Sequence, residues 1–534
     1  MDPTHTVDIA ILGGGLAGNL LARQLRRTLP GLSVALYERS QDTSWKVGES
    51  TVELASNYLT RRLGLSTYLY ENMLPKNGLR FFFDTPQKDA ALVDMSEIGS
   101  MSFTAYPSFQ LDRARFEADL LRMNAEAGVD VHIGAKCHDL VLHEPDSAPS
   151  PHALHEFSVT ENDVTTRVRA RWLIDASGRA SLIAKQKDLR IPTPEHGISA
   201  AWGRFIKHAD MDDWGPPAWR QRVRNTSRVL STVHFCYPGY WIWFIPLGRG
   251  VMSVGWVGDK SIFRDDMRKP DGFNNFLREH RAVWDLLKER AELLDVLAYK
   301  QLAYATKQFF SGGDRWFLSG EAAAFTDPFY SPGSDFISIE NDFITDMIAR
   351  DHAGESRAAI AERSATYDEF MQFRFQATLL LYKNLYPTLA SYELLKLKWE
   401  FDIACYYNLW CAPYFHDEHL DLQSLRGELR RKDFVIQGLE NFSALFQRLE
   451  AGFRRQGLLH RRNLGHATHS ISTIGFLDDL RTPRTRRQVL RTTEAIFNAT
   501  RTAALDLLAD LGETPVPGER TLPLYEFMLA TPLA

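Results

Sequence analysis

Cysteine is scarce in this chain. Four occur in 534 residues, Cys137, Cys236, Cys405 and Cys411, and none stands at metal-ligand spacing. That argues against a disulfide scaffold and fits unpaired thiols in a reducing cytoplasm, the expected location. No charge-free apolar run approaches the ~20 residues a membrane helix needs, so no membrane span is expected. There is no excess of positive charge. The net charge of −5 gives no electrostatic reason to expect nucleic acid. No internal repeat or low-complexity tract is visible, and no leader is expected before the first apolar strand, which starts within ten residues. What the chain has in quantity is aromatic: 12 tryptophans and 32 phenylalanines, suited to flat ligands although most will be core. Its length predicts two or more substructures.

The stretch from Val7 to Glu38 organises the rest. Residues 7–12 form an apolar run of strand length, followed by three glycines, Gly13, Gly14 and Gly15, and then by Ala17 and Gly18. Apolar residues from Leu16 to Leu29 recur at helical spacing, and Pro30-Gly31 stops the helix. Residues 33–38 read as a second strand ending on Glu38. Strand, glycine turn, helix, strand and acid is the order of a dinucleotide-binding unit. Gly13 permits the turn, Gly15 lets backbone approach a pyrophosphate, and Gly18 lets helix and strand pack. The helix N-terminus faces the phosphates, and Glu38 suits a ribose hydroxyl.

Further along, Glu53 to Leu69 and Asp112 to Ala127 are predicted helices. Lys76 to Phe83 reads as a turn and a strand, and Val168 to Asp175 as a strand. Pro145 to His152 reads as a surface connection. Strand-like runs from about 200 to 310 predict a β-sheet platform, and helices dominate from Asp335 onward, with a boundary near Asp351 to Glu355. The predicted class is α/β: a Rossmann-like FAD-binding core over 1–350 with an inserted sheet, and a helical region over 351–534 that would cap the substrate site.

Three separated stretches read as one flavin site: the glycine unit, the small-residue turn at Asp175 and Gly178, and Glu321 followed by Pro328. Their order resembles the FAD-dependent monooxygenases of the aromatic hydroxylase type. The resemblance implies that Arg113 lies near the flavin and that Glu321 takes the place of the usual aspartate. Residues 239–246 read Gly-Tyr-Trp-Ile-Trp-Phe-Ile-Pro. Trp241 and Trp243 alternate, so a strand puts both indoles on one face. A core strand would also satisfy that pattern. With Ile245 and Pro246, however, the stretch resembles the signature of flavin-dependent halogenases. So do Lys46, Gly48, Glu49 and Ser50 in the loop beside the flavin, Lys76 ahead of a strand, and the loop from Asp327 to Gly333 that carries Ser331.

The resemblance implies an enzyme that uses FADH2, oxygen and chloride or bromide to make hypohalous acid. The oxidant would pass through a tunnel walled by Trp241 and Trp243 to Lys76, which aims halogen at an electron-rich ring. It also implies a separate flavin reductase as partner and an aromatic substrate, free or tethered to a carrier protein. Halide donors follow the loop serine in this family. Pro332 has no N–H, so Gly333 and Ser334 are the candidates. Tryptophan-type members carry a glutamate directly before the serine. This chain has Tyr330 there, which favours a phenol. A flavin hydroxylase or reductase, and a flavin-binding protein without turnover, are the competing readings.

Weaker signals remain. Tyr392, Leu395, Trp399, Tyr406 and Trp410 fall at helical spacing, as a core stripe or a lid. The pairs His416/His419 and His466/His469 lack a third ligand, so no metal site is expected. Five arginines from Arg481 to Arg491 read as a solvated face.

Overall fold

The structure is a computed structural model. It describes residues 4–104, 106–143, 154–213, 215–223, 226–469, 484–513, 516 and 518–530. The connection predicted at Pro145 to His152, and Arg481, lie outside the described residues.

Two sheets carry the fold. The first runs in the order Phe310–Ser311, Trp316–Leu318, Val164–Asp175, Thr4–Leu12, Val34–Glu38, Asp130–Ile133, with two further strands off its long member. Thr4–Leu12 is parallel to both of its neighbours, with Leu12 beside Asp175 on one side and Tyr37 on the other. Asp175 in turn stands beside Leu318 in a parallel pair. Three strand ends therefore finish level, so the glycine turn, the Asp175 turn and the Glu321 turn leave the sheet at one edge. Open parallel sheets bind their ligands at this edge.

The turn itself is fixed by close approach. Gly13 has φ +115°, and a Cβ there would meet the Ala176 carbonyl oxygen at 2.4 Å. A Cβ on Gly18 would stand 1.9 Å from the Gly13 oxygen. Beyond this turn the helix Leu16–Thr28 buries Leu16, Leu20, Leu21 and Leu25.

The second sheet runs Glu292–Tyr299, Ile198–Ile206, Val251–Asp259, Tyr240–Gly248, Thr232–Tyr237, Leu79–Phe83, Ser96–Gly99, Ala467–His469. It is wider than the platform expected from residues 200–310. Two strands come from before residue 100, and one comes from the C-terminal region. The period of two along Tyr240–Gly248 divides its side chains between two cores. Trp241, Trp243 and Ile245 join the core shared with the first sheet. Tyr240, Ile242 and Phe244 face a second core under the helix Pro270–Arg278.

Two predicted helices differ in detail. Glu53 to Leu69 is interrupted: Glu53–Asn57 is α-helical, Tyr58–Arg62 is a π turn, and Ser66–Asn72 starts again. Gly64, at φ +62° against the Arg27 guanidinium, makes the break. The C-terminal stripe is α-helical over Tyr392–Ala404 and π-helical over Cys405–Cys411. The helix Gly333–His352 is followed after a short turn by Arg357–Leu379. The two stay packed together, with Phe343 stacked on Tyr367 at 3.9 Å between ring centroids.

Replacing Gly18 by valine forces its side chain onto the Gly13 carbonyl. The variant should lose roughly 1–3 kcal/mol of stability and fail to retain flavin through gel filtration. Full retention at an unchanged melting temperature would contradict this account of the turn.

Candidate active site

The level strand ends open into a cavity with about 1160 Å³ of free space. Leu16, Gly48, Glu49, Ser50, Arg113, Gly320 and Glu321 line one part of it. A Cβ on Gly15 would touch nothing within 4 Å, so the backbone there is bare toward a ligand. The Glu38 carboxylate accepts from Gly14 N–H at 2.8 Å and stands against the turn. Both oxygens of Asp175 are taken within its own turn, by Ser177 and by Ile183 N–H, so it fixes the turn that presents Gly178. Lys46 reaches the Glu117 carboxylate at 2.8 Å, which Arg113 also contacts. Arg113 in turn holds the Val47 carbonyl at 2.6 Å. Glu49 is buried and accepts from the Arg204 guanidinium at 2.7 Å. A bare glycine turn, a helix N-terminus and a basic side chain around an open cavity fit a dinucleotide such as FAD.

Trp241, Trp243 and Ile245 line the opposite part of the same cavity, and Pro246 falls on the other face of the strand. The indole rings stand 5.6 Å apart. Trp243 has room because Gly255 is its cross-strand partner, where a Cβ would lie 2.2 Å from the indole. Its Nε1 donates to Ser253 Oγ at 3.1 Å. Trp241 donates to the Tyr386 hydroxyl at 3.3 Å, and Tyr386 donates to Asp327 Oδ2 at 2.8 Å. His196 Nε2 stands 2.7 Å from that same oxygen. Asp327 thus ties the tryptophan strand to the loop that follows it. In that loop Ser331 takes a left-handed φ of 57°, and Pro332 leads into the helix Gly333–His352. Gly333 and Ser334 occupy the first turn, where backbone N–H groups have no intrahelical acceptor. Ser334 Oγ is buried without a hydrogen-bond partner.

Lys76 lies on the far side of this loop, at the end of the strand Leu74–Lys76. It is 4% exposed. Its Nζ donates to Ser50 Oγ at 2.9 Å and to the Thr51 carbonyl at 2.7 Å. Burial pulls the ammonium down to about 8, against the carboxylates of Glu53 and Asp335. Lys76 lines a second cavity, together with Glu53, Tyr330, Asp335 and Trp399. Ser50, its hydrogen-bond partner, lines the first cavity. The lysine therefore spans the wall between the two.

The second cavity holds several groups that sequence reasoning left unassigned. Asp335 accepts from Ala55 N–H at 2.9 Å, and burial pushes its carboxyl up to about 7. Glu53 accepts from the Tyr407 hydroxyl at 2.7 Å. Tyr330 donates to Asp402, which also binds Lys398. Trp399, Tyr406 and Trp410 complete an aromatic wall. The last two lie on the π segment Cys405–Cys411 and share the Trp399 face, in keeping with their helical spacing in the sequence. Of the acids near the loop, Asp335 lines this cavity and Asp327 the first. Glu340 is spent on Gly320 N–H at 2.6 Å.

Of the histidine pairs only His419 is buried, while His416 and His466 are exposed. His419 bonds Asp342 at 2.9 Å, and His466 stacks on Tyr392. A different trio, His5, Asp130 and His132, brings three ligand atoms within 4.8 Å of one another at a sheet edge, remote in sequence from those pairs.

Residues 6–333 match the family model described as FAD binding domain. The flavin-dependent halogenase chlA of Dictyostelium discoideum is 29% identical over 77% of this chain and 71% of its own length. A 1H-pyrrole-2-carbonyl-(peptidyl-carrier protein) chlorinase of Pseudomonas fluorescens is 24% identical over 62% of this chain and 72% of its own. Among solved structures, halogenase PltM in complex with phloroglucinol and FAD superposes with a TM-score of 0.67 at 16% identity, covering 96% of this chain and 98% of that one. The chain belongs to the FAD-binding-domain family and, within it, to the flavin-dependent halogenases.

Proposed function

We propose that this protein halogenates a phenol-like ring. The observation that carries the reading is the position of Lys76, buried in the wall between a flavin-shaped cavity and an aromatic-lined one. Reduced FAD supplies, with oxygen, the oxidation of chloride or bromide to hypohalous acid. The chain does the rest. The turn at Gly13, Gly15 and Gly18, with Arg113 and the loop from Lys46 to Ser50, holds the dinucleotide at the sheet edge. The N–H groups of Gly333 and Ser334, at the positive end of a 20-residue helix, hold the halide, with the free Ser334 hydroxyl beside them. Trp241 and Trp243 exclude the organic substrate from the flavin side, so halogen transfer replaces hydroxylation.

Lys76 receives the oxidant. As ammonium it donates to the hypohalous oxygen, and as free amine it takes the halogen. A group that titrates near 8 has both forms within reach of neutrality. Asp335, near 7, is placed to take the proton that leaves the ring. Tyr330, bonded to Asp402, cannot offer the carboxylate of the tryptophan-type enzymes, and a phenol needs it less because its own oxygen spreads the charge. Two relatives at 24% identity are named for carrier-tethered pyrroles, which are also activated rings. A separate reductase supplies the reduced flavin, since no second nucleotide motif is evident in the sequence. No helix among the described residues is long and apolar enough to cross a membrane.

Lys76→Ala should abolish bromination of phenols while leaving FAD binding intact, read by the bromine isotope pattern and by flavin absorbance. Near-normal product would remove Lys76 from the chemistry. Offered tryptophan and resorcinol together, the enzyme should brominate resorcinol faster, and the reverse order would overturn the phenol assignment.

The lysine also sets a pH signature. The folded protein releases its proton near pH 8 while the unfolded chain holds it to about 10.5. Its contribution to stability is therefore complete above 10.5 and is lost as pH falls through 8. In urea melts the wild type should gain on Lys76→Met by on the order of 3 kcal/mol between those pH values. A constant difference would mean the ammonium is not desolvated.

A further inference from the structure

Two strands of the first sheet bring together a cluster that the flavin site does not use. His5 stands near the start of Thr4–Leu12, and Asp130 and His132 stand on Asp130–Ile133. One ligand atom from each of the three side chains falls within 4.8 Å of the other two. His5 Nε2 is 3.7 Å and His132 Nε2 is 3.1 Å from the same oxygen, Asp130 Oδ2. Ligand atoms bound at about 2.0–2.1 Å to a tetrahedral zinc stand ~3.3 Å from one another. The two separations bracket that value.

His132 is oriented for such a role. Its Nδ1 lies 3.1 Å from Glu161 Oε2, at the end of the strand His155–Glu161. A carboxylate only accepts, so Nδ1 carries the proton and the lone pair of the neutral ring falls on Nε2. A carboxylate behind a histidine fixes the tautomer and ring orientation of metal ligands in the same way. The ring is also stacked on Tyr37, with centroids 4.8 Å apart and planes 13° from parallel. His132 Nε2 has no hydrogen-bond partner, although Asp130 Oδ2 is so near. The oxygen thus stands off the nitrogen's axis, as two ligands converging on a third point do. Among the described residues, Asp130 and Glu161 form ion pairs only with histidines, so no lysine or arginine there offsets the two carboxylates.

We propose that His5, Asp130 and His132 bind a zinc ion, with water in the fourth position and Glu161 as the positioning residue behind His132. Two imidazoles and one carboxylate suit zinc, whereas calcium and magnesium call for oxygen ligands. His5 and Asp130 are half-exposed, so the ion enters from solvent and the His5 ring is free to turn onto it. In the sheet, Val34–Glu38 lies between the two strands that supply the ligands. A bound ion therefore joins strands that share no ladder of their own. Its role is structural: it fastens the strand that leads into the glycine turn.

The test is calorimetric titration of the tag-free, FAD-loaded, chelator-stripped protein with zinc chloride. The wild type should take up one equivalent with a micromolar Kd. His5→Ala and His132→Phe, the second of which keeps a ring on Tyr37, should each weaken uptake at least about tenfold, and Glu161→Gln about tenfold. Zinc should raise the melting temperature of the wild type and leave that of His5→Ala unchanged. Bromination should persist in His5→Ala, which lies outside both cavities of the candidate active site. A wild type that takes up no zinc would leave a histidine salt-bridged to two carboxylates and overturn the proposal, a result that needs no variant to fold. So would equal zinc uptake by the wild type and His5→Ala, or calcium bound as tightly as zinc.

Discussion

The parallel register of three strands is the constraint on which the site depends. Leu12, Asp175 and Leu318 stand side by side because each strand pairs in phase with the next. The side-chain period of a strand is two, so a slip of one residue would turn each buried face outward. Burial of these strands on both faces therefore holds the register, and the register alone brings residues 13, 178 and 321 to one edge. The same logic governs the tryptophan strand, whose two faces belong to different cores. The cavity wall is thereby as fixed as the packing behind it.

A second consequence concerns separation. The loop from Asp327 to Ser334 lies between the two cavities, and Asp327 pins it through His196 and Tyr386 to elements far away in sequence. A left-handed serine followed by proline gives the loop little freedom. In the proposed function, rigidity there keeps an arene out of a passage left to a small oxidant. The indole wall, the loop and the Lys76 stem together separate the two cavities.

Much of this was legible in the sequence, for physical reasons that differ by element. Glycines that must adopt positive φ or admit close contact leave a fixed spacing, so the turn at Gly13 to Gly18 was visible at once. Alternation placed Trp241 and Trp243 on one face without further information. Gly255, which makes room for Trp243, was not legible, because a glycine in a strand has many causes. Nor was the π turn at Cys405–Cys411, whose extra residue per turn leaves no mark on apolar spacing. The trio of His5, Asp130 and His132 was silent because its members lie on strands far apart in the chain, and no sequence spacing marks them. Lys76 stood out by resemblance, but the pull of burial on its charge required the cavity. The platform sheet was underestimated because two of its edge strands are short and come from distant parts of the chain.

That last strand has a bearing on how the molecule is made. Ser96–Gly99 pairs in parallel with Ala467–His469, and Ser96 Oγ accepts from the His466 N–H across a separation of 370 residues. Until those late residues emerge from the ribosome, Ser96–Gly99 is an open edge, with unsatisfied backbone groups beside a strand that carries three successive phenylalanines. Synthesis at about 5–20 residues per second leaves that edge bare for tens of seconds. The nascent chain thus carries an adhesive flank for most of its elongation, and its yield in a cell is governed by whatever shields that flank in the interval.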